Sequence, residues 1–219
     1  MPGLSEMKKK FHAHIVAFAV VAMSAPVQAE QRSGSINQEL ASHTYVIPRD
    51  LIEMIYKPDY SSVRNPNPNW PNDPVVRLHV QWPAFTASTG AKGEDAAKRK
   101  IIISMLKGAT RTVAQHLAGL NESHFKPEVV AAQYDLKEIH SDLSKKSREY
   151  IASPQHGPEY LIRCNRFESE TIASLYYSCD YDFDYFGLKI NVYFNSPFLR
   201  NWREIQQKTV ALLNSMRKD

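Results

Sequence analysis

Apolar and polar residues alternate from Val76 to Trp82 (VRLHVQW), the period-two pattern of a strand with one buried face. Pro83 ends the run. Upstream, Tyr45-Val46-Ile47 reads as a short strand stopped by Pro48, after which Asp50 is placed to cap a helical turn through Leu51, Met54 and Ile55. From residue 95 to about residue 120 the period changes. Ile102, Met105, Leu106, Ala109, Val113, His116 and Leu117 fall near one face, which predicts a helix weakened at Gly108. Residues 127–143 offer Val130, Tyr134, Leu136 and Ile139 at spacings that fit either a partly helical or an extended segment.

Three strand-like runs follow at residues 160–164, 172–183 and 188–194. The turn-like linkers at 165–171 and 184–187 make them a β-meander. Ser196 as N-cap and Pro197 at the first helical position predict a last helix. Its apolar stripe is Leu199, Trp202, Ile205, Val210, Leu213 and Met216. Residues 57–74 (KPDYSSVRNPNPNWPNDP) hold five prolines and four asparagines, which remove backbone donors and favour turns. They predict a long loop, either a solvated surface excursion or a binding element, with Trp70 favouring an ordered one. The expected fold class is α+β: an antiparallel sheet, with the C-terminal meander, and helices packed on one face.

The first residues change the domain picture. Met7-Lys8-Lys9-Lys10 is a basic segment, residues 15–23 (IVAFAVVAM) form an apolar core, and Val27-Gln28-Ala29 supplies small residues before Glu30. This is the layout of a cleavable export signal. The core is too short for a bilayer, which takes roughly 20 apolar residues. The expectation is a signal peptide over residues 1–29, a single domain over residues 30–219 with a polar lead-in to residue 42, and a periplasmic location. Removing three lysines and one glutamate lowers the formal charge from +4 to +2. So weak a balance argues against nucleic acid as partner. In an exported chain, Cys164 and Cys179 point to a disulfide rather than to a metal pair or a nucleophile.

The richest chemistry lies in CDYDFDYFGLKINVYF, residues 179–194. On a strand, Asp180 and Asp182 share one face while Cys179, Tyr181 and Phe183 take the other. A calcium loop counted from Asp180 would need glycine at its sixth position and glutamate at its twelfth. The chain has Tyr185 and Asn191 there, so the aspartates read as a solvated or partner-facing strand surface. No serine-hydrolase elbow, zinc-helix motif or phosphate loop occurs. His43, His79, His116, His124, His140 and His156 lack the i, i+4 spacing of ligands. No cofactor is expected. An enzyme or small-ligand-binding protein with a site assembled from dispersed residues is the alternative reading.

Taken in order, the apolar leader, RLHVQWPAF (residues 77–85), YSCDYDFDYFGLKINVYFN (177–195) and FLRNWREIQQKTVALL (198–213) resemble periplasmic immunity proteins that accompany type VI secretion lipase effectors. In that family a cysteine-bearing strand, a glycine turn, a second aromatic strand and a W-R-E-I-like helix start recur near the C-terminus. Their counterparts here are Cys179, Gly187, Val192-Tyr193-Phe194 and Trp202-Arg203-Glu204-Ile205. The resemblance implies a non-enzymatic protein that occludes the active site of a cognate lipase or phospholipase toxin, with nanomolar affinity or about −12 kcal/mol. Contact residues are not implied by the family. Tyr60, Arg64, Trp70, Tyr181 and Tyr185 have the aromatic or arginine chemistry of interface anchors.

Overall fold

The computed structural model describes residues 34–57, 73–88, 93–123, 126–141, 147–166 and 177–218. The expected leader and most of the Pro/Asn-rich loop lie outside the described residues. A small sheet is built from β1 (Ser35–Leu40), β2 (His43–Pro48) and β13 (Arg217–Lys218), in the order β1-β2-β13. The large sheet contains β3 (Ile52–Tyr56), β4 (Val75–Gln81), β5 (Thr86–Ala87), β6 (Lys100–Lys107), β7 (Glu128–Ala131) and β8 (Leu136–His140). It is completed by β9 (Ser147–Ala152), β10 (Tyr160–Arg166), β11 (Tyr177–Tyr185) and β12 (Leu188–Asn195). Its order is β3-β4-β6-β12-β11-β10-β9-β8-β7, with β5 beside β4, and its ladders are antiparallel. Three helices complete the described elements: α1 (Glu94–Lys98), α2 (Val113–Glu122) and α3 (Trp202–Met216). The fold is a single α+β domain whose large sheet does not close into a barrel.

The core follows from the strand alternation. One row of side chains runs across the sheet through Leu78, Ile103, Val192, Tyr181, Ile162 and Tyr150, each opposite the next in register. All six belong to one buried cluster. Against this face α3 lays Trp202, Ile205, Thr209, Leu213 and Met216, a single stripe of spacing three and four. Each such large apolar side chain stabilises the fold by about 1.5–3 kcal/mol on burial. Leu40, Tyr45 and Ile47 bring the small sheet into the same core. A smaller cluster forms where α2 packs Val113, Leu117 and Leu120 on Ile139, Ile151 and Leu161. Thr112 caps α2 reciprocally: its Oγ1 accepts from the Gln115 N–H at 3.1 Å, and Gln115 Oε1 accepts from the Thr112 N–H at 2.9 Å.

Several expected elements are corrected. Residues 95–120 are not one helix. α1 and α2 flank strand β6, which sits between β4 and β12. Ile101-Ile102-Ile103 is a β-branched run that loses rotamer freedom in a helix and fits a pleated strand, and Gly108 (φ 143°) ends it. The helical turn after Asp50 shrinks to a 3-10 turn, Arg49–Leu51, because residues 52–56 pair with β4. The polar lead-in contains β1, paired to β2 through Ala41 and Ser42 at φ 47° and 69°. Ser196–Asn201 is 3-10, so α3 starts at Trp202 rather than at Pro197. The ambiguous stretch 127–143 holds the β7–β8 hairpin.

Candidate binding surface

The apolar row across the sheet stops after Tyr150, whose partner on β8 is Glu138. One row along, Cys164 faces Arg148 on β9. Where the row turns polar, a cavity of about 420 Å³ opens between the β7–β8 hairpin and the 3-10 turn before α3. Ala132, Tyr134, Tyr150 and Leu199 give it apolar walls, and Glu138 and Arg148 give it charge. A more polar recess of about 360 Å³ shares Glu138 and Arg148 and adds Glu128 and His140.

The rim of the cavity is a strained turn. The Leu136 N–H donates to the Gln133 carbonyl at 3.3 Å, and the residues between, Tyr134 and Asp135, have φ of 63° and 57°. Two successive positive φ values match a type I′ turn, for which asparagine and glycine are the favoured residues. An L-residue with a large side chain costs about 1–2 kcal/mol in this region. The turn holds because α3 grips it. The Trp202 Nε1–H donates to the Tyr134 carbonyl at 2.9 Å, and Arg203 Nη1 lies 2.6 Å from Asp135 Oδ2. The Arg203 guanidinium also stacks over the Trp202 ring at 4.9 Å, and Trp202 meets Tyr160 edge-on at 5.9 Å. The Tyr134 side chain is left 47% exposed.

Beside the cluster under α2, the opposite face of the sheet carries a run of ion pairs across β10, β11 and β12. Arg163 Nη2 lies 2.8 Å from Asp180 Oδ2 and 3.6 Å from Asp182 Oδ2, Lys189 Nζ lies 2.9 Å from Asp182, and the Asn191 amide donates to Asp182 at 2.8 Å. Asp184 instead accepts from the Thr110 N–H at 2.7 Å. The aspartates therefore occupy the solvated face, with Cys179, Tyr181 and Phe183 in the core. Further along the same face Glu53 gathers His79 (2.5 Å), Arg77 (3.1 Å) and Lys100 (3.9 Å). Burial, and then the Lys100 charge, hold the His79 imidazole below its ordinary pKa against the pull of Glu53. Among the described residues no three His, Cys, Asp or Glu side chains converge to hold a metal ion.

Of the expected contact residues, Tyr60, Arg64 and Trp70 lie outside the described residues. Tyr181 is fully buried and stacked on Tyr160 at 4.8 Å, so it packs in the core rather than standing on the surface. Burial pushes its phenol well above the ordinary pKa. Tyr185 is also buried, and its hydroxyl donates to Asn214 Oδ1 at 2.5 Å. Its neighbour Phe186 is the exposed aromatic of that turn (52%), with Arg217 3.6 Å above its ring. Cys164 and Cys179 form the expected disulfide, directly opposite each other on β10 and β11. Tyr134 was visible in the sequence only as an apolar position of an ambiguous segment. No helix among the described residues is long and apolar enough to cross a membrane.

Two solved structures are similar to this chain. An immunity protein of the Stenotrophomonas maltophilia type IV secretion system, Smlt3025, superposes with a TM-score of 0.58 at 14% identity, over 85% of this chain and 94% of that one. The Neisseria meningitidis iron-regulated outer membrane lipoprotein FrpD gives a TM-score of 0.47 at 13% identity, over 84% and 93%. No protein-family model and no curated protein matches the chain. The likeness to Smlt3025 shows that the two chains share a fold.

Proposed function

We propose that this is an exported immunity protein that binds a cognate secreted toxin and occludes its active site. The observation that carries the reading is the fold shared with an immunity protein over 85% of the chain. Its cavity rim adds an exposed tyrosine, Tyr134, and the arginine Arg203 beside it, two of the residue types in which interface hot spots are enriched. The leader, with its basic and apolar segments, supports a periplasmic site of action. The toxin class follows from the sequence resemblance to immunity partners of type VI secretion lipase effectors, so the proposed target is a lipase or phospholipase. A partner that must never be released active calls for nanomolar binding, about −12 kcal/mol.

The test is to purify the chain beginning at Glu30 with the toxin encoded beside its gene and to measure hydrolysis of phospholipid vesicles. A stoichiometric complex with hydrolysis abolished is the expected result. No complex at micromolar concentration, with hydrolysis untouched, overturns the reading. The amphipathic cavity favours a second reading, a small-ligand-binding protein. A ligand that raises the melting temperature of the chain in the absence of any toxin would support that one.

A further inference from the structure

We propose that the cavity beneath the Tyr134 turn is the anchor point of the toxin contact, taking one apolar side chain of a partner loop whose neighbouring residue is acidic. This rests on the binding role proposed above and assigns it a place. The fold uses the Tyr134 carbonyl, held by Trp202, and any residue would supply that group. Asparagine or glycine would adopt the left-handed backbone more readily. What only tyrosine brings is a ring that walls the cavity, half exposed, with a hydroxyl that has no partner among the described residues. An amphipathic ring with a free polar tip is suited to a contact that is part apolar and part wet.

Charge selects the occupant. Arg203 at the rim is matched by Asp135, and Arg148 and Glu138 line the cavity together. Arg200, next in sequence to the wall residue Leu199, is exposed and has no ionic partner among the described residues. The 3-10 turn that walls the cavity through Ser196 and Leu199 therefore also carries an exposed arginine without an ionic partner among the described residues, which a carboxylate beside the inserted apolar side chain would neutralise. Such rim charges act mainly on the association rate and its salt dependence.

The experiment titrates the toxin encoded beside this gene with the wild-type chain, Tyr134→Asn, Arg200→Glu and Phe186→Ala, with a thermal melt of each. The expected result is that Tyr134→Asn melts at or above wild type while its Kd rises at least tenfold, roughly the loss of a hot-spot side chain. Arg200→Glu should slow association about tenfold and flatten its salt dependence. Phe186→Ala, at the other aromatic turn, should stay within about twofold of wild type. A wild-type complex that neither Tyr134→Asn nor Arg200→Glu weakens overturns the anchor while leaving the immunity reading intact. So does a Tyr134→Asn chain that both melts lower and binds worse, which would mark the tyrosine as structural. A wild-type chain that binds no toxin removes both.

Discussion

The indole N–H of Trp202 reaches the Tyr134 carbonyl at 2.9 Å, across 68 residues of sequence, and so fixes the β7–β8 turn to the first turn of α3. Replacing it by Trp202→Phe keeps an aromatic ring against Tyr160 but leaves the carbonyl without its donor. The expected loss is about 1–3 kcal/mol for the stranded acceptor, with the melting temperature falling about 2–4 °C for each kcal/mol. Arg203→Ala should cost less, about 0–1 kcal/mol, because the Arg203–Asp135 pair is exposed at 46% and 74%. Thermal melts of the two variants check the order. Equal losses would mean that the ion pair, not the indole, holds the turn.

Cys164 and Cys179 close a loop of sequence separation 15 inside the main core. The chain-entropy model assigns such a loop about 3 kcal/mol, or about 6–12 °C of melting temperature for a domain of this size. Reduction, or the double change Cys164→Ala with Cys179→Ala, should produce that shift in a chain that still folds. A shift near zero would mean that the unfolded chain is already restricted between β10 and β11.

How much of this was legible depended on whether a residue's partners were local. β4, β11 and β12 were readable because strict alternation sorts Leu78, Tyr181 and Val192 to one face without reference to any neighbour. The stripe of α3 was readable for the same reason, while its start was displaced by the 3-10 turn at Ser196–Asn201. β6 was misread because Ile102, Met105 and Leu106 suit a helix face equally well. The β-branched run Ile101-Ile102-Ile103 leans toward a strand, and pairing with β4 and β12 on its two sides decides for it. β1 is polar except at Ile36 and Leu40, so its place comes from the ladder with β2. The Tyr134 turn was hidden most completely, since its conformation depends on a tryptophan far along the chain.

The strand assignment of residues 100–107 is itself testable. Ile103 is fully buried between Leu78 and Val192. Ile103→Ala should cost about 2–5 kcal/mol and Ile103→Val about 0.5–1.5 kcal/mol. At the neighbouring Ser104, on the opposite face beside Arg77 and Asn191, Ser104→Thr should be neutral or slightly stabilising, because β-branched residues favour strands. Urea unfolding of the three variants measures this. A clear loss in Ser104→Thr would contradict the outward placement of that side chain.

The last prediction concerns acid. His79 sits among Glu53, Arg77 and Lys100, and burial together with the Lys100 charge outweighs the Glu53 carboxylate, so its folded pKa lies below the ordinary value of about 6.5. The unfolded chain then binds more protons at this imidazole than the folded one, and stability rises with pH across the interval between the two values. The contribution is complete above about pH 6.5 and is lost as the pH falls toward the folded pKa. His79→Gln removes this titration from both states. Its urea midpoint should therefore fall less than that of wild type between about pH 7 and pH 5.5, whatever its absolute stability. A variant with a steeper fall would show the reverse sign: a His79 whose protonated form is held by Glu53, with the folded pKa raised and the imidazole acting as half of a true ion pair.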